Sequence, residues 1–171
     1  MINLPNTFEN SIALARSIEL DRQMIPVFDL DGVAIDATHR QILKPDGSLD
    51  LNSYRENSTP EKIALDFALP FAVTMQQLTE MRRDFFICTA RVMCRSSEKW
   101  LTKRGINASA IFSREGESDT RRDFKLKHDH LTSYFSEQEL MRAVLIDDNQ
   151  ANLKMAESIG MTAIHVPFHG H

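Results

Sequence analysis

Val27-Phe28-Asp29-Leu30-Asp31-Gly32-Val33 is the stretch on which the reading of this chain turns. An apolar, strand-forming run enters a pair of aspartates two residues apart, and the glycine beyond them lets the backbone turn sharply. A strand that ends this way directs two carboxylates into one crevice, where they repel unless a cation or a phosphoryl group answers them. One such run has a bland account, because an aspartate at a strand end often does no more than cap a turn or helix. The reading therefore depends on what the rest of the chain places beside it.

Working outward, apolar residues at Phe8, Ile12, Ala15 and Ile18 have helical spacing, and Thr7 can cap that helix. Residues 24–28 form the first strand, with Pro26 where its missing donor is not needed. Residues 36–59 are polar and irregular, with a turn at Pro45-Asp46-Gly47. Ser58-Thr59-Pro60-Glu61 is a helix start, and the helix is expected to run to Arg83 with a bend at Pro70. Strands follow at 84–89, 109–112, 142–146 and 162–166. Helices are expected at 96–104, 119–134 and 149–159, the first and last stopped by Gly105 and Gly160. Strands alternating with helices predict an α/β fold: a doubly wound, mainly parallel sheet of about five strands covered on both faces. At 171 residues the chain is expected to be one domain, with a short helical and loop insertion at about 34–83.

Hydrophobic content of 42% and charged content of 26% are those of an ordinary globular protein. No apolar run approaches the roughly 18 residues of a membrane span, and the N-terminus lacks a basic-then-apolar leader, so no membrane association and a cytoplasmic location are expected. Cys88 and Cys94 are not spaced as CxxC; Cys88 reads as a small buried apolar residue. The net charge of −4 argues against a general nucleic-acid binder, but twelve Lys/Arg face six Asp/Glu between Arg82 and Lys127. That +6 segment is either a set of solvated helix faces or a basic wall around an anionic substrate. The methionines, Phe85, Phe86, Ile111 and Phe112 read as core. The histidines are discounted: His128 and His130 lie two apart on a helix, His39 on a loop, and His165, His169 and His171 at a strand end and tail.

In an open α/β sheet, ligands bind at the carboxyl ends of the strands. Three predicted strands end in residues suited to chemistry: Asp29 and Asp31, Thr89 and Arg91, Asp147 and Asp148. Four carboxylates around one crevice demand a hard divalent cation, and Mg²⁺ suits sparse carboxylate ligation completed by water and substrate phosphate. In this order and position the chain resembles a haloacid-dehalogenase-type (HAD) phosphatase. Asp29-Leu30-Asp31-Gly32 matches the first motif of that superfamily, Thr89 the second, Lys127 the third and Ile146-Asp147-Asp148 the fourth. The chain more narrowly resembles the 3′-phosphatase domain of phage polynucleotide kinases, through Arg40, Arg91 and the stretch Arg114 to Asp123. It departs in carrying Val33 where many relatives have Thr, and Asn152 where some place another acid behind the metal. It also has no GxxxxGK[ST] loop, hence no kinase domain.

The resemblance implies a minimal cap and roles for these residues. Asp29 is the nucleophile that forms an aspartyl-phosphate, and Asp31 the acid that protonates the leaving group and then deprotonates water. Asp29, the Asp31 backbone carbonyl and Asp148 hold Mg²⁺, with Asp147 supporting them. Thr89 and Lys127 bind the transferring phosphoryl group. Arg40 and Arg91 hold the substrate phosphate or a neighbouring one, with Asp123 orienting Lys127 or an arginine; surface salt bridging is the bland account of these three. The expected function is Mg²⁺-dependent hydrolysis of a phosphomonoester, with a DNA or RNA 3′-phosphate end as the leading substrate. The alternatives are a phosphatase of small mononucleotides or sugar phosphates, and a non-catalytic binding module on the same fold.

Overall fold

The computed structural model describes residues 1–45 and 49–168. Its core is a six-stranded, all-parallel sheet in the order β1-β8-β7-β2-β5-β6. The strands are β1 (Ile2–Asn3), β2 (Ile25–Phe28), β5 (Phe86–Val92), β6 (Ala110–Arg114), β7 (Ala143–Asp147) and β8 (Thr162–His165). The central strands β2 and β7 read as apolar runs because both of their faces are covered. Side chains alternate between two cores. Phe28, Ile87, Val144 and Ile146 pack on one face against helices α1 (Phe8–Leu20), α4 (Phe71–Glu80) and α5 (Arg95–Lys103). Val27, Cys88 and Leu145 point to the other face, against α6 (Asp123–Tyr134), α7 (Glu137–Leu140) and α8 (Gln150–Ser158). This is the predicted three-layer α/β arrangement, and Cys88 is indeed buried.

The sixth strand is β1, beside β8 at the sheet edge. Two residues are too short to show a period, so sequence pattern cannot find it. The Thr7 cap is as expected, its side chain accepting from the Asn10 amide.

The segment 34–83 differs most from expectation. In place of one long helix from Pro60 to Arg83 there are α3 (Pro60–Ile63), a strand β4 (Phe67–Ala68) and then α4. β4 pairs antiparallel with β3 (Ile35–Asp36), and the Leu69 amide donates to the Ala34 carbonyl at 2.9 Å. Pro70 explains the break: it disfavours helix at Leu69 before it and initiates α4 behind it. The supposedly irregular 36–59 contains a 3₁₀ turn at Thr38–Arg40 and a helix, α2 (Leu51–Glu56), capped by Asp50. The predicted turn at Pro45-Asp46-Gly47 lies mostly outside the described residues, as do His169 and His171.

Other boundaries moved for local reasons. β5 continues past Thr89 to Val92, with a register shift between Cys88 and Val92 against β6. Residues 119–122 stay outside α6 because the Arg121 side chain and amide close onto the Asp119 carboxylate. Phe85 is buried as expected, but Ile111 is 37% exposed on edge strand β6, and Met1, Met81 and Met141 are exposed. Phe86 and Phe112 are half-buried in an aromatic cluster with Tyr134 and Phe135.

Helices α1 and α4 are joined by a buried polar contact: the Ser11 hydroxyl lies 2.7 Å from both the Pro70 carbonyl and the Thr74 hydroxyl. Ser11→Ala removes a partner from the Pro70 carbonyl inside this interface. We expect a stability loss of roughly 1–3 kcal/mol in urea titration, with no change in the chemistry of the distant cleft. A variant as stable as wild type contradicts this account.

Candidate active site

The two aspartates sit where β2 leaves the sheet. The Asp29 amide still donates to the Ile146 carbonyl of β7 at 2.9 Å, so the nucleophile candidate is fixed by strand pairing. Beyond it the Leu30 carbonyl accepts from the amides of Val33, Ala34 and Ile35, which folds residues 30–35 into a tight turn. Gly32 occupies the left-handed region at φ +79°. A Cβ there would stand 2.3 Å from Asp148 Oδ2, so glycine serves both the turn and the close approach of the fourth-motif carboxylate. The Asn6 side chain donates to the Gly32 and Val33 carbonyls and pins the turn from the N-terminal side.

Lys127, from α6, enters this acidic corner with its side chain 1% exposed. Its Nζ lies 2.6 Å from Asp147 Oδ2 and 3.1 Å from Asp29 Oδ1. Burial lowers the lysine pKa, but the charges of Asp147 and Asp29 outweigh it and keep the group cationic. Asp147 is saturated by protein donors: Lys127, the Asn149 amide at 2.8 Å, and the Asn152 side-chain amide at 3.0 and 3.1 Å to its two oxygens. Asn152 therefore acts on Asp147 as a neutral donor where an acid would have repelled it.

Asp29 and Asp148 lack such saturation. Asp29 Oδ1 is buried with no hydrogen-bond partner of suitable geometry among the described residues. Its pKa is raised well above the ordinary carboxylate value by burial, which Lys127 opposes and Asp147, Asp148 and Asp31 reinforce. Asp148 is pushed up to about 7 by burial and by the Asp147 charge. Carboxylate oxygens of Asp29, Asp147 and Asp148 lie within 4.8 Å of one another. An orphaned oxygen among crowded carboxylates is the environment that a hard divalent cation fits.

A second charge cluster surrounds Asp31. Arg91, carried by the irregular end of β5, donates through Nη2 to Asp31 Oδ1 at 2.5 Å and through Nε to Oδ2 at 3.1 Å. Tyr54 of α2 lies 3.4 Å from the same carboxylate. Burial would raise the Asp31 pKa, but Arg91, Arg40 and Tyr54 more than reverse it and leave it below its ordinary value. Arg40 lies at the cleft wall and makes no hydrogen bond to Asp31. It is 2% exposed, forked onto Asp66 at 2.9 and 3.0 Å, and donates to Ser58 at 2.7 Å. Thr89 is buried beside this cluster and accepts from the Arg91 amide. Asp123 lies at the start of α6 and pairs with Arg114 at 3.1 Å rather than with Lys127.

These groups line a cleft of about 1110 Å³, whose walls include Leu43, Leu49 and Ile63 of the insertion and the 114–124 segment. Part of the basic stretch 82–127 is engaged within the fold, and Arg91, Arg114, Arg121, Arg122 and Lys127 of it line the cleft. Arg83 donates to the Asp21, Arg22 and Met24 carbonyls, Arg114 pairs with Asp119 and Asp123, and Arg121 with Asp119 and Asp129. The histidines serve locally: His130 contacts the Ser113 carbonyl, His165 that of Asp148, and His39 that of Lys62. Sequence reasoning missed Asp66 and Tyr54. Neither lies in a motif, and only the folded insertion brings them to the cleft. Among the described residues no helix is long and apolar enough to cross a membrane.

The raised carboxyls make a pH prediction. Between the ordinary carboxyl pKa near 4 and about 7, the folded state holds more protons than the unfolded state, so stability falls as pH rises through that window. Asp31, shifted down, is ionised in both states above that ordinary value and adds no slope. A divalent cation bound by Asp29 and Asp148 would take the place of the proton. Mg²⁺ at 100 times its Kd stabilises by about 2.7 kcal/mol, or several degrees at ~2–4 °C per kcal/mol. By differential scanning fluorimetry the gain should be clearly larger at pH 8 than at pH 5, and reduced in Asp148→Asn. Equal shifts at both pH values would contradict the assignment.

Comparison with known proteins agrees with this fold. A 5′-deoxynucleotidase of Escherichia phage T5 is 31% identical over 100 residues, which cover 53% of this chain and 41% of that protein. The match thus spans less than half of the relative's length. Among solved structures, a haloacid dehalogenase-like hydrolase from Streptococcus pneumoniae superposes with TM-score 0.59 at 14% identity, covering 84% of each chain. A chain of a Pnkp1/Rnl/Hen1 RNA repair complex gives TM-score 0.57 at 15% identity, covering 86% of this chain and 43% of that one. These structures share the HAD-type fold. The family model described as bacteriophage T5 5′-deoxynucleotidase matches residues 18–167, and the chain belongs to that family.

Proposed function

We propose that this chain is a Mg²⁺-dependent phosphomonoester hydrolase working through an aspartyl-phosphate. The observation that carries the reading is buried Lys127 held between Asp29 and Asp147 at the carboxyl edge of the sheet, with Asp29 and Asp148 left short of partners. Asp29, the Asp31 backbone carbonyl and Asp148 would hold Mg²⁺, with Asp147 behind them; the ion would supply charge neutralisation that lets an anionic ester approach an anionic nucleophile.

Asp29 attacks phosphorus and the ester P–O bond breaks, leaving phosphate on the Asp29 carboxylate. Lys127 and Thr89 hold the non-bridging oxygens as charge develops on them. Asp31 gives its proton to the departing alkoxide, then takes one from the water that releases orthophosphate and restores Asp29. Arg91 keeps Asp31 ionised in the empty cleft, the form the second step needs. The proton for the first step is one that a phosphate monoester brings, since its second pKa is about 6.

For the substrate, a deoxynucleoside 5′-monophosphate stands ahead of a nucleic-acid 3′ end. Membership of the T5 5′-deoxynucleotidase family supports it. A polynucleotide 3′ end remains the second reading because the cleft, at about 1110 Å³, is larger than a mononucleotide requires.

Asp29→Asn is expected to fold at least as stably as wild type, because it removes a repelled carboxylate. Its turnover of p-nitrophenyl phosphate should fall by on the order of 10³ or more. Near wild-type turnover would sink the mechanism, and absence of Mg²⁺-dependent turnover in wild type would leave the non-catalytic reading standing. Deoxynucleoside 5′-monophosphates should be cleaved with kcat/KM at least about tenfold above nucleoside 3′-monophosphates and 3′-phosphorylated oligonucleotides. The reverse order would transfer the substrate to the polynucleotide end while leaving the chemistry in place.

A further inference from the structure

Asp66, whose side chain is 0% exposed, is a buried carboxylate behind the cleft-lining Arg40 and Arg91 that the catalytic scheme does not use. It lies just before β4, in the insertion. Both of its oxygens are spoken for: Oδ1 accepts from Arg40 Nε at 2.9 Å, and Oδ2 from Arg40 Nη2 at 3.0 Å and Arg91 Nη2 at 3.2 Å. Its backbone is held as firmly. The carbonyl accepts from Trp100 Nε1 at 2.9 Å and Arg104 Nη2 at 3.4 Å, and the amide donates to the Ile63 carbonyl. Arg104 in turn stacks on the Trp100 ring at 3.7 Å.

This anchored carboxylate shares a single guanidinium nitrogen, Arg91 Nη2, with Asp31. Asp31 sits on a turn, 30% exposed, and its other side-chain contact is the long one to Tyr54. The direction of its carboxylate therefore follows the direction of Arg91. Arginine has a long side chain with many rotamers, and holding it in one of them in a buried place requires a fixed counter-charge. Two carboxylates and two guanidinium groups here sum to zero charge, so the cluster can stay buried as a unit, and removing Asp66 leaves two cations facing one anion.

We infer that Asp66 is a positioning residue for the acid–base step: through the shared Arg91 guanidinium it aims the Asp31 carboxylate at the oxygen of the departing group. The inserted 34–83 segment is then a brace for Asp31 and not only a wall of the cleft. This rests on the hydrolase reading above.

The test compares Asp66→Asn with wild type on two esters, a deoxynucleoside 5′-monophosphate and p-nitrophenyl phosphate. The nucleoside alkoxide leaves only if protonated, whereas p-nitrophenolate is a weak base that departs without much help. General-acid contributions are typically ~10²–10⁴-fold. Misaiming Asp31 should therefore lower kcat on the nucleotide at least about tenfold more than on p-nitrophenyl phosphate, with KM changed by less than about threefold. The ratio of the two rates is taken on one preparation, so a smaller folded fraction cancels. If Asp66→Asn does not yield folded protein, Arg40→Lys keeps a cation beside Asp66 but loses the fork, and should shift the same ratio in the same direction. Equal losses on both esters, as a purely structural role would give, overturn the inference. A wild-type chain inactive on both esters overturns the hydrolase reading and this inference with it, whereas an active wild type with an unchanged variant ratio overturns this inference alone.

Discussion

The constraint on which the site depends is the crowding of carboxylates at one edge of a parallel sheet. β2 and β7 are adjacent and in register, with Phe28 beside Ile146. Their carboxyl ends must therefore bring Asp29 together with Asp147 and Asp148. Packing of the strands is favourable and the meeting of the charges is not. Lys127 answers part of that repulsion from α6, and it does so inside the fold, where a charge is stabilised only by partners at short range. What the lysine leaves unanswered, at Asp29 and Asp148, is an excess of negative charge that a cation would relieve. Stability and chemistry are thus set by the same charges: a site that is uncomfortable when empty is one that gains from binding.

The four motif carboxylates do not share one environment. Asp147 is saturated with donors and is structural in character. Asp148 has burial and a neighbouring charge against it, and Asp29 adds an oxygen whose close cation, Lys127, is not in hydrogen-bonding geometry. Asp31 belongs to a different cluster, in which Arg91 holds it below its ordinary pKa. Two aspartates separated by one residue are driven in opposite directions by different neighbours: in the protein alone Asp29 is pushed toward its protonated form, and Asp31 is held ionised.

The positive segment 82–127 has a different meaning in three dimensions. Several of its arginines are engaged by carbonyls and by nearby aspartates, Arg104 stacks on Trp100, and others line the cleft. Charge counted along a chain measures what is available, whereas charge presented to a ligand is what remains after internal pairing. The insertion shows the same contrast. Its sequence looks like loop and helix, yet Pro70 ends one element and begins another, and the β3–β4 pair closes it against the turn that follows Asp31.

By itself the sequence determined the alternation of strands and helices, the glycine turn after Asp31, and the order of Asp29, Asp31, Thr89, Lys127, Asp147 and Asp148. All of these are expressed in short-range periodicity and in residue types that only certain backbones accept. Tertiary structure decided that Arg40 forks onto Asp66, and that Arg91 is shared between Asp31 and Asp66. It also decided that β1 joins the sheet and that Asp123 meets Arg114. Each of these pairings joins residues from different elements, or depends on a loop or edge too short to show a pattern. A buried charge chooses its partner by distance and desolvation through space, and neither quantity is written in the spacing of residues along the chain.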